Sequence, residues 1–211
     1  MKKILMVLSF VILSSGFAMS QGKLNYSGFS GGMMIHSGYF QSGTFELTNA
    51  NNHSISQNQI KGFPFGIGGA ARLHFGKHLR FGGEGYVSDI RYNSNGSYAS
   101  TSWGGLLVDC IWQFKRFAPF AGLLVGGGNT KNLTLSEKYA DDYIVENNAS
   151  FREYSFLAIA PFVGVEYALN SKIRLTLKAD YLINLNNPQD DFAHGPRIFL
   201  GFMFYRLNTD K

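Results

Sequence analysis

The chain has 211 residues, of which 15% are aromatic and 16% charged, with a formal net charge of +5. That aromatic content excludes a disordered chain, and the weak, dispersed charge gives no basic surface for nucleic acid. A single cysteine, Cys110, excludes an internal disulfide.

Residues 1–20 have the pattern of a signal peptide. Lys2 and Lys3 form a basic start, Ile4 to Leu13 an apolar core, and Ala18-Met19-Ser20 a small-x-small cleavage site before Gln21. Removing them takes away two lysines and no acids, which lowers the net charge from +5 to +3. Residues 21–211 are expected to form one domain. No later segment supplies the roughly eighteen apolar residues that a membrane-spanning helix needs.

Eight strands are expected after that, over residues 24–37, 63–75, 79–92, 99–114, 118–128, 154–168, 172–185 and 196–207. In the second, Phe65, Ile67, Ala71, Leu73 and Phe75 share one face while Arg72 and His74 share the other. The third sets Leu79, Phe81 and Val87 against Arg80, Glu84 and Ser88. The fourth sets Leu106, Val108, Cys110, Trp112 and Phe114 against Asp109 and Gln113, so Cys110 is expected outward as a small hydrophobe. The fifth, APFAGLLVGGG, is apolar on both faces. In the sixth, Leu157, Ile159, Val163, Val165 and Tyr167 oppose Glu166. The seventh is the clearest: Ile173, Leu175, Leu177, Ala179, Tyr181, Ile183 and Leu185 alternate with Arg174, Thr176, Lys178, Asp180 and Asn184.

Connections alternate in length. Gly76-Lys77-His78, Lys115-Arg116-Phe117 and Leu169-Asn170-Ser171 are short, whereas 38–62, 93–98, 129–153 and 186–195 are longer or more polar. An even strand count with both ends beside the short turns is the plan of a bacterial outer-membrane barrel. Aromatics near the strand ends are expected to form two interfacial girdles. Phe75, Phe81, Phe114, Phe117, Tyr167 and Tyr205 mark the short-turn end, and Tyr39, Phe40, Phe63, Tyr92, Trp103 and Tyr154 the long-loop end.

With the repeats GGEGYV and APFAGLLVGGG and the closing strand GPRIFLGFMFYRL, residues 22–207 resemble the small eight-stranded outer-membrane barrels, the OmpA transmembrane domain and OmpX-like proteins. The resemblance implies an all-β fold: an eight-stranded antiparallel up-and-down transmembrane β-barrel with short periplasmic turns and longer extracellular loops. It implies a bacterial outer-membrane location among lipid and lipopolysaccharide, insertion by the barrel-assembly machinery, and a monomer. Residues Arg206 to Lys211 extend past the aromatic end that the family's last strand normally carries.

In such a barrel Phe65, Leu73, Phe81, Val163, Leu175 and Leu177 face lipid. Arg72, His74, Arg80, Glu84, Asp109, Glu166, Arg174, Lys178, Asp180 and Arg197 then line the lumen as an ion-pair network or a gate. Glu166 is expected to meet Arg174 across one hairpin, and Arg72 or Arg80 to meet Glu84 around another. A structural or surface-interaction protein is the leading reading, with a small gated pore for ions or solutes as an alternative. A soluble calycin-like barrel is disfavoured by the charge-lined parity.

A lipid A-modifying enzyme is the weakest alternative. His36-Ser37 and His53-Ser54 supply residue types for a hydrolase, but adjacent strand residues point to opposite faces. His78 and His194 join no ligand-spaced cluster, so neither metal nor cofactor is expected. The loops 38–62 and 129–153 are the expected surface for an extracellular ligand, the latter carrying Glu137, Asp141, Asp142, Glu146 and Glu153.

Overall fold

A computed structural model describes residues 25–48, 54–92, 96–135, 149–186 and 189–207. The expected signal peptide, His53, and the acidic residues Glu137, Asp141, Asp142 and Glu146 lie outside the described residues.

The described residues form eleven strands: β1 (Tyr26–Gly38), β2 (Phe40–Thr48), β3 (Ser54–Gly62), β4 (Phe65–Phe75), β5 (Leu79–Arg91), β6 (Tyr98–Ile111), β7 (Phe117–Leu135), β8 (Ala149–Ala168), β9 (Ile173–Tyr181), β10 (Ile183–Asn184) and β11 (Pro196–Leu207). Eight of them form one hydrogen-bonded ring in the order β1-β4-β5-β6-β7-β8-β9-β11, and β11 pairs back onto β1. Every pairing is antiparallel. No helix among the described residues is long and apolar enough to cross a membrane, which says nothing of strands.

Short connections close one end of the ring. At Gly76 φ is +57°, a left-handed turn position that glycine takes without steric cost. Asn170 Oδ1 accepts from the backbone N–H groups of Lys172 and Ile173, both at 2.8 Å, and so tightens the β8–β9 turn. The β6–β7 turn differs from expectation. Its strand stops at Ile111, and a Phe114–Phe117 bridge closes the chain around Lys115, whose φ is +53°.

Two expected loops contain strand. Within 38–62, β2 and β3 form a hairpin whose Phe40, Phe45 and Ile60 pack on Ile90, Tyr92 and Ala99. Three apolar anchors diluted among Ser, Asn and Gln, with a register shift between Gln41 and Thr44, left no clean alternation to read. Likewise β7 does not stop at its glycines but runs on to Leu135, pairing with β8 from Phe117↔Tyr167 to Leu135↔Ala149. Glycine weakens a strand edge, yet here each glycine is flanked by partners that are already paired.

Inside and outside differ sharply. Leu106 is 78% exposed, Met33 64% and Phe65 63%, and Ile67, Leu73, Phe81, Val163, Leu177, Ile198, Leu200, Phe202 and Phe204 share that outer wall. Leu175 shares its parity but is half-buried, lying between Tyr167 and Phe202 of the neighbouring strands. Cys110 is also half-buried.

The aromatic girdles need correction. Phe75, Phe81, Phe114, Phe117 and Tyr167 stay on the outer side near the short turns, where Phe75 packs edge-on to Phe81 at 5.7 Å. Tyr205, however, is buried inside, as are Phe40, Tyr92 and Trp103 at the other end, and Tyr154 packs against the inner core. Only Tyr39 and Phe63 of the expected long-loop band remain outside. Nearness to a strand end does not fix direction; parity does.

Candidate functional site: the ion-filled interior

Along β5 the inward side chains rise from the short turns in the order Arg80, Glu84, Tyr86, Ser88 and Ile90, followed by Tyr92. The interior is thus layered: charge below, aromatic rings in the middle, an apolar cap above.

The charges form an alternating chain across six strands. Arg174 lies 3.6 Å from Glu166, and Glu166 accepts from Arg80 Nη1 at 2.7 Å. Arg80 Nε donates to Asp109, whose other oxygen accepts from Arg72 Nε at 3.1 Å. Arg72 Nη2 stands 3.7 Å from Glu84, Glu84 pairs with Lys178, and Lys178 is 3.4 Å from Asp180. Asp180 finally accepts from Arg197 Nε at 2.7 Å. Except for Arg174, whose side chain is 12% accessible, these groups are essentially dry. Burial of any one alone would be prohibitive; each is tolerated because its neighbours carry opposite charge.

Aromatic rings fill the space between the ions. Arg80 and Arg72 lie over Phe120 at 5.0 and 5.6 Å, Lys178 over Phe199 at 3.9 Å, and Arg174 over Tyr205 at 4.1 Å. Arg197 is enclosed by Tyr86 at 4.4 Å, Phe199 at 5.5 Å and Trp103 at 5.6 Å. Tyr205 also hydrogen-bonds Arg80 at 2.9 Å and donates to Glu166.

Glycine makes room for these rings. Phe120 stands directly across from Gly164, where an added Cβ would lie 2.4 Å from its ring. Tyr86 is paired with Gly68 and Trp103 with Gly128, where an added Cβ would lie 2.3 and 2.4 Å from their own Cβ atoms, and the His36 ring lies across Gly66, 2.1 Å from where a Cβ would be. In a narrow ring a large inward side chain requires a missing one beside it.

Of the ten charged or imidazole residues expected in the lumen from sequence, nine are buried and Arg174 is half-buried, and their partners differ in part. Arg80, not Arg174, makes the short contact to Glu166. His74 joins no ion pair among these groups: its Nε2 lies 2.8 Å from Ser30 Oγ and its ring meets Tyr205 edge-on. Sequence reading missed Phe120, Phe162, Phe199, Tyr86 and Trp103 as lumen packing. It also missed Asp191, which is fully buried in the 186–195 connection. There Asn132 Nδ2 donates to Asp191 at 2.7 Å and Arg152 sits 3.2 Å away. Phe192 packs on Phe156, and Gln41 and His194 exchange backbone hydrogen bonds at 3.0 and 3.1 Å. This segment and the β2–β3 hairpin together cover the long-loop mouth.

The other candidate residues are not assembled. His36 is buried inside, whereas Ser37 points outward and donates to the Pro64 carbonyl at 2.7 Å. His78 Nδ1 lies 2.9 Å from the Ile111 carbonyl oxygen. Among the described residues no group of three or more His, Cys, Asp or Glu could hold a metal ion.

No protein-family model matches the chain, and no curated protein matches it. Solved structures do. The attachment invasion locus protein Ail of Yersinia pestis, in complex with the heparin analogue sucrose octasulfate, is 13% identical over 83% of this chain and 99% of its own, with a TM-score of 0.45. The outer membrane protein OprG from Pseudomonas aeruginosa is 13% identical over 86% of this chain and 97% of its own, with a TM-score of 0.46. Neisserial surface protein A is 12% identical over 85% of this chain and 98% of its own, with a TM-score of 0.52, and the likeness is one of fold.

Proposed function

We propose that the protein resides in the bacterial outer membrane as a monomeric, closed, eight-stranded up-and-down barrel. Its interior is a structural plug, and its long-loop end is a surface for interaction with partners outside the cell. One observation carries this reading: around a single ring of strands the outer wall is apolar while the interior holds a connected chain of ion pairs packed among aromatic rings. In water an outer wall carrying Met33, Phe65, Leu106, Val163 and Phe204 would cost about 25 cal/mol for each Å² of apolar surface left wet, whereas lipid removes that cost.

In this arrangement residues 1–20 are a signal peptide and 21–211 the barrel domain. Short turns lie in the periplasm, long connections outside, and lipid and lipopolysaccharide surround the wall after insertion by the assembly machinery. The role is non-catalytic, because the buried acids and bases are spent on one another. The apolar cap of Phe40, Phe45, Ile60, Ile90 and Tyr92 over the mouth supports a plug rather than a gated pore. The test is fractionation together with gel migration before and after boiling, followed by planar-bilayer recording of the same preparation. Outer-membrane recovery, heat-modifiable migration and a silent bilayer are expected. Recovery in the soluble fraction overturns the location, and discrete conductance overturns the plug.

A further inference from the structure

We propose that the short-turn rim of the ring is a docking surface for anionic phospholipid, held through its phosphate groups. The proposal rests on the outer-membrane reading and adds which lipid the wall selects at that end. Exposed charge is sorted between the two ends. Near the short turns stand Lys77, Lys115, Arg116, Lys172 and Arg206, and no exposed acid accompanies them among the described residues. None of the five joins an ion pair among those residues. The exposed acids Glu46, Asp89, Glu153 and Asp190 all belong to the long-loop half. There cations find partners: Lys131 lies 3.3 Å from Glu153, and Arg152 lies 3.2 Å from Asp191. Nor does the interior cancel the rim, because Arg72, Arg80, Lys178 and Arg197 are answered there by four buried carboxylates.

Backbone hydrogen bonds fix the spacing of these cations. The Ala168 N–H donates to the Arg116 carbonyl at 2.8 Å, and the Tyr205 N–H to the Lys172 carbonyl at 2.7 Å. The β6–β7 turn, the β8–β9 turn and the end of β11 therefore form one arc. Gln113 braces it: its Nε2 donates to the Lys115 carbonyl at 2.8 Å, and its Oε1 accepts from Arg174 at 2.9 Å. Lys77 extends the arc, since the Ile111 N–H donates to the carbonyl of the adjacent His78 at 2.8 Å. Like charges held in a row repel, and a negative surface relieves them. Phe114 and Phe117 flank Lys115 and Arg116 directly, while Phe75 and Phe204 precede Lys77 and Arg206 by two residues, all four outside the core. Aromatic side chains of this kind mark the boundary between hydrocarbon and headgroups. The cations beside them then reach the level of the phosphates. A dissolved anion would meet only the charges, whereas a phospholipid also covers the rings with its chains.

The protein is refolded into phosphatidylcholine vesicles, with folding verified by heat-modifiable migration. Electron spin resonance then follows chain-labelled phosphatidylglycerol or phosphatidylcholine. The motionally restricted component should favour phosphatidylglycerol by about twofold or more, and high salt should weaken the preference. Lys115→Gln, Arg116→Gln and Lys172→Gln together should remove most of it. Lys77→Gln with Arg206→Gln, which leaves the β6–β7 and β8–β9 turns intact, should reduce it. Lys61→Gln with Arg91→Gln, at exposed positions of the long-loop end, should leave it unchanged. Equal restriction of the two lipids by the folded protein overturns the docking surface and leaves the outer-membrane reading standing. Absence of a restricted component for either lipid means a wall out of contact with chains, which overturns both. A preference that persists in the folded rim variants, or falls as far in the long-loop variant, overturns the assignment to the short turns. Loss of the preference on adding inorganic phosphate at matched ionic strength means a site for free anions and overturns the lipid.

Discussion

Lys178 lies between Glu84 and Asp180 with no accessible side-chain surface, so removing either Lys178 or Glu84 takes one of two opposite charges from each of its neighbours in a dry layer. Glu84→Gln or Lys178→Met alone should lower stability by about 3–5 kcal/mol in urea titrations of the detergent-folded protein. The double variant should lose less than the sum of the two, because it removes both members of the pair. A loss below about 1 kcal/mol for each single change would mean that water solvates the layer. On the other face, Leu177→Lys should cost about 2–4 kcal/mol in lipid vesicles if Leu177 meets hydrocarbon. A near-neutral result would mean that this wall is wet. Single residues were also where sequence reading fared unevenly. Tyr205 shares the parity of Arg197, so its inward direction was legible; assigning it by nearness to a strand end obscured that. The short Arg80–Glu166 contact was not legible, because it crosses the ring between strands that are not neighbours.

At the scale of elements, the eight ring strands could be read because each must keep one face apolar and the other polar, and that demand repeats every second residue. The β2–β3 hairpin and the segment around Asp191 answer to weaker demands, a few anchors each, and left little periodic trace. The segment's dependence on one carboxylate is testable. Asp191→Ala deprives Asn132 and Arg152 of their shared partner. Amide exchange at Phe192 and His194, whose N–H groups donate to Gln189 and Gln41, should then accelerate about tenfold or more, while exchange in β5 and β6 stays unchanged. Unchanged exchange at His194 would show that the Gln41 bridge alone holds the segment.

The whole molecule joins a wall suited to lipid, a core suited to neither water nor lipid, and a covered mouth. Such a body should remain folded, and migrate as a compact species, until boiling breaks the entire ring. The rings seated across from glycine have a further consequence for how that ring is assembled. Inside–outside alternation rejects a slip of one residue between neighbouring strands but is blind to a slip of two. Sliding β7 by two residues along β8 would carry Phe120 from Gly164 onto Phe162 or Glu166. The same displacement would drive Trp103, Tyr86 and His36 off Gly128, Gly68 and Gly66. The ring–glycine pairs therefore act as notched keys that admit one alignment of each strand pair and refuse the near misses.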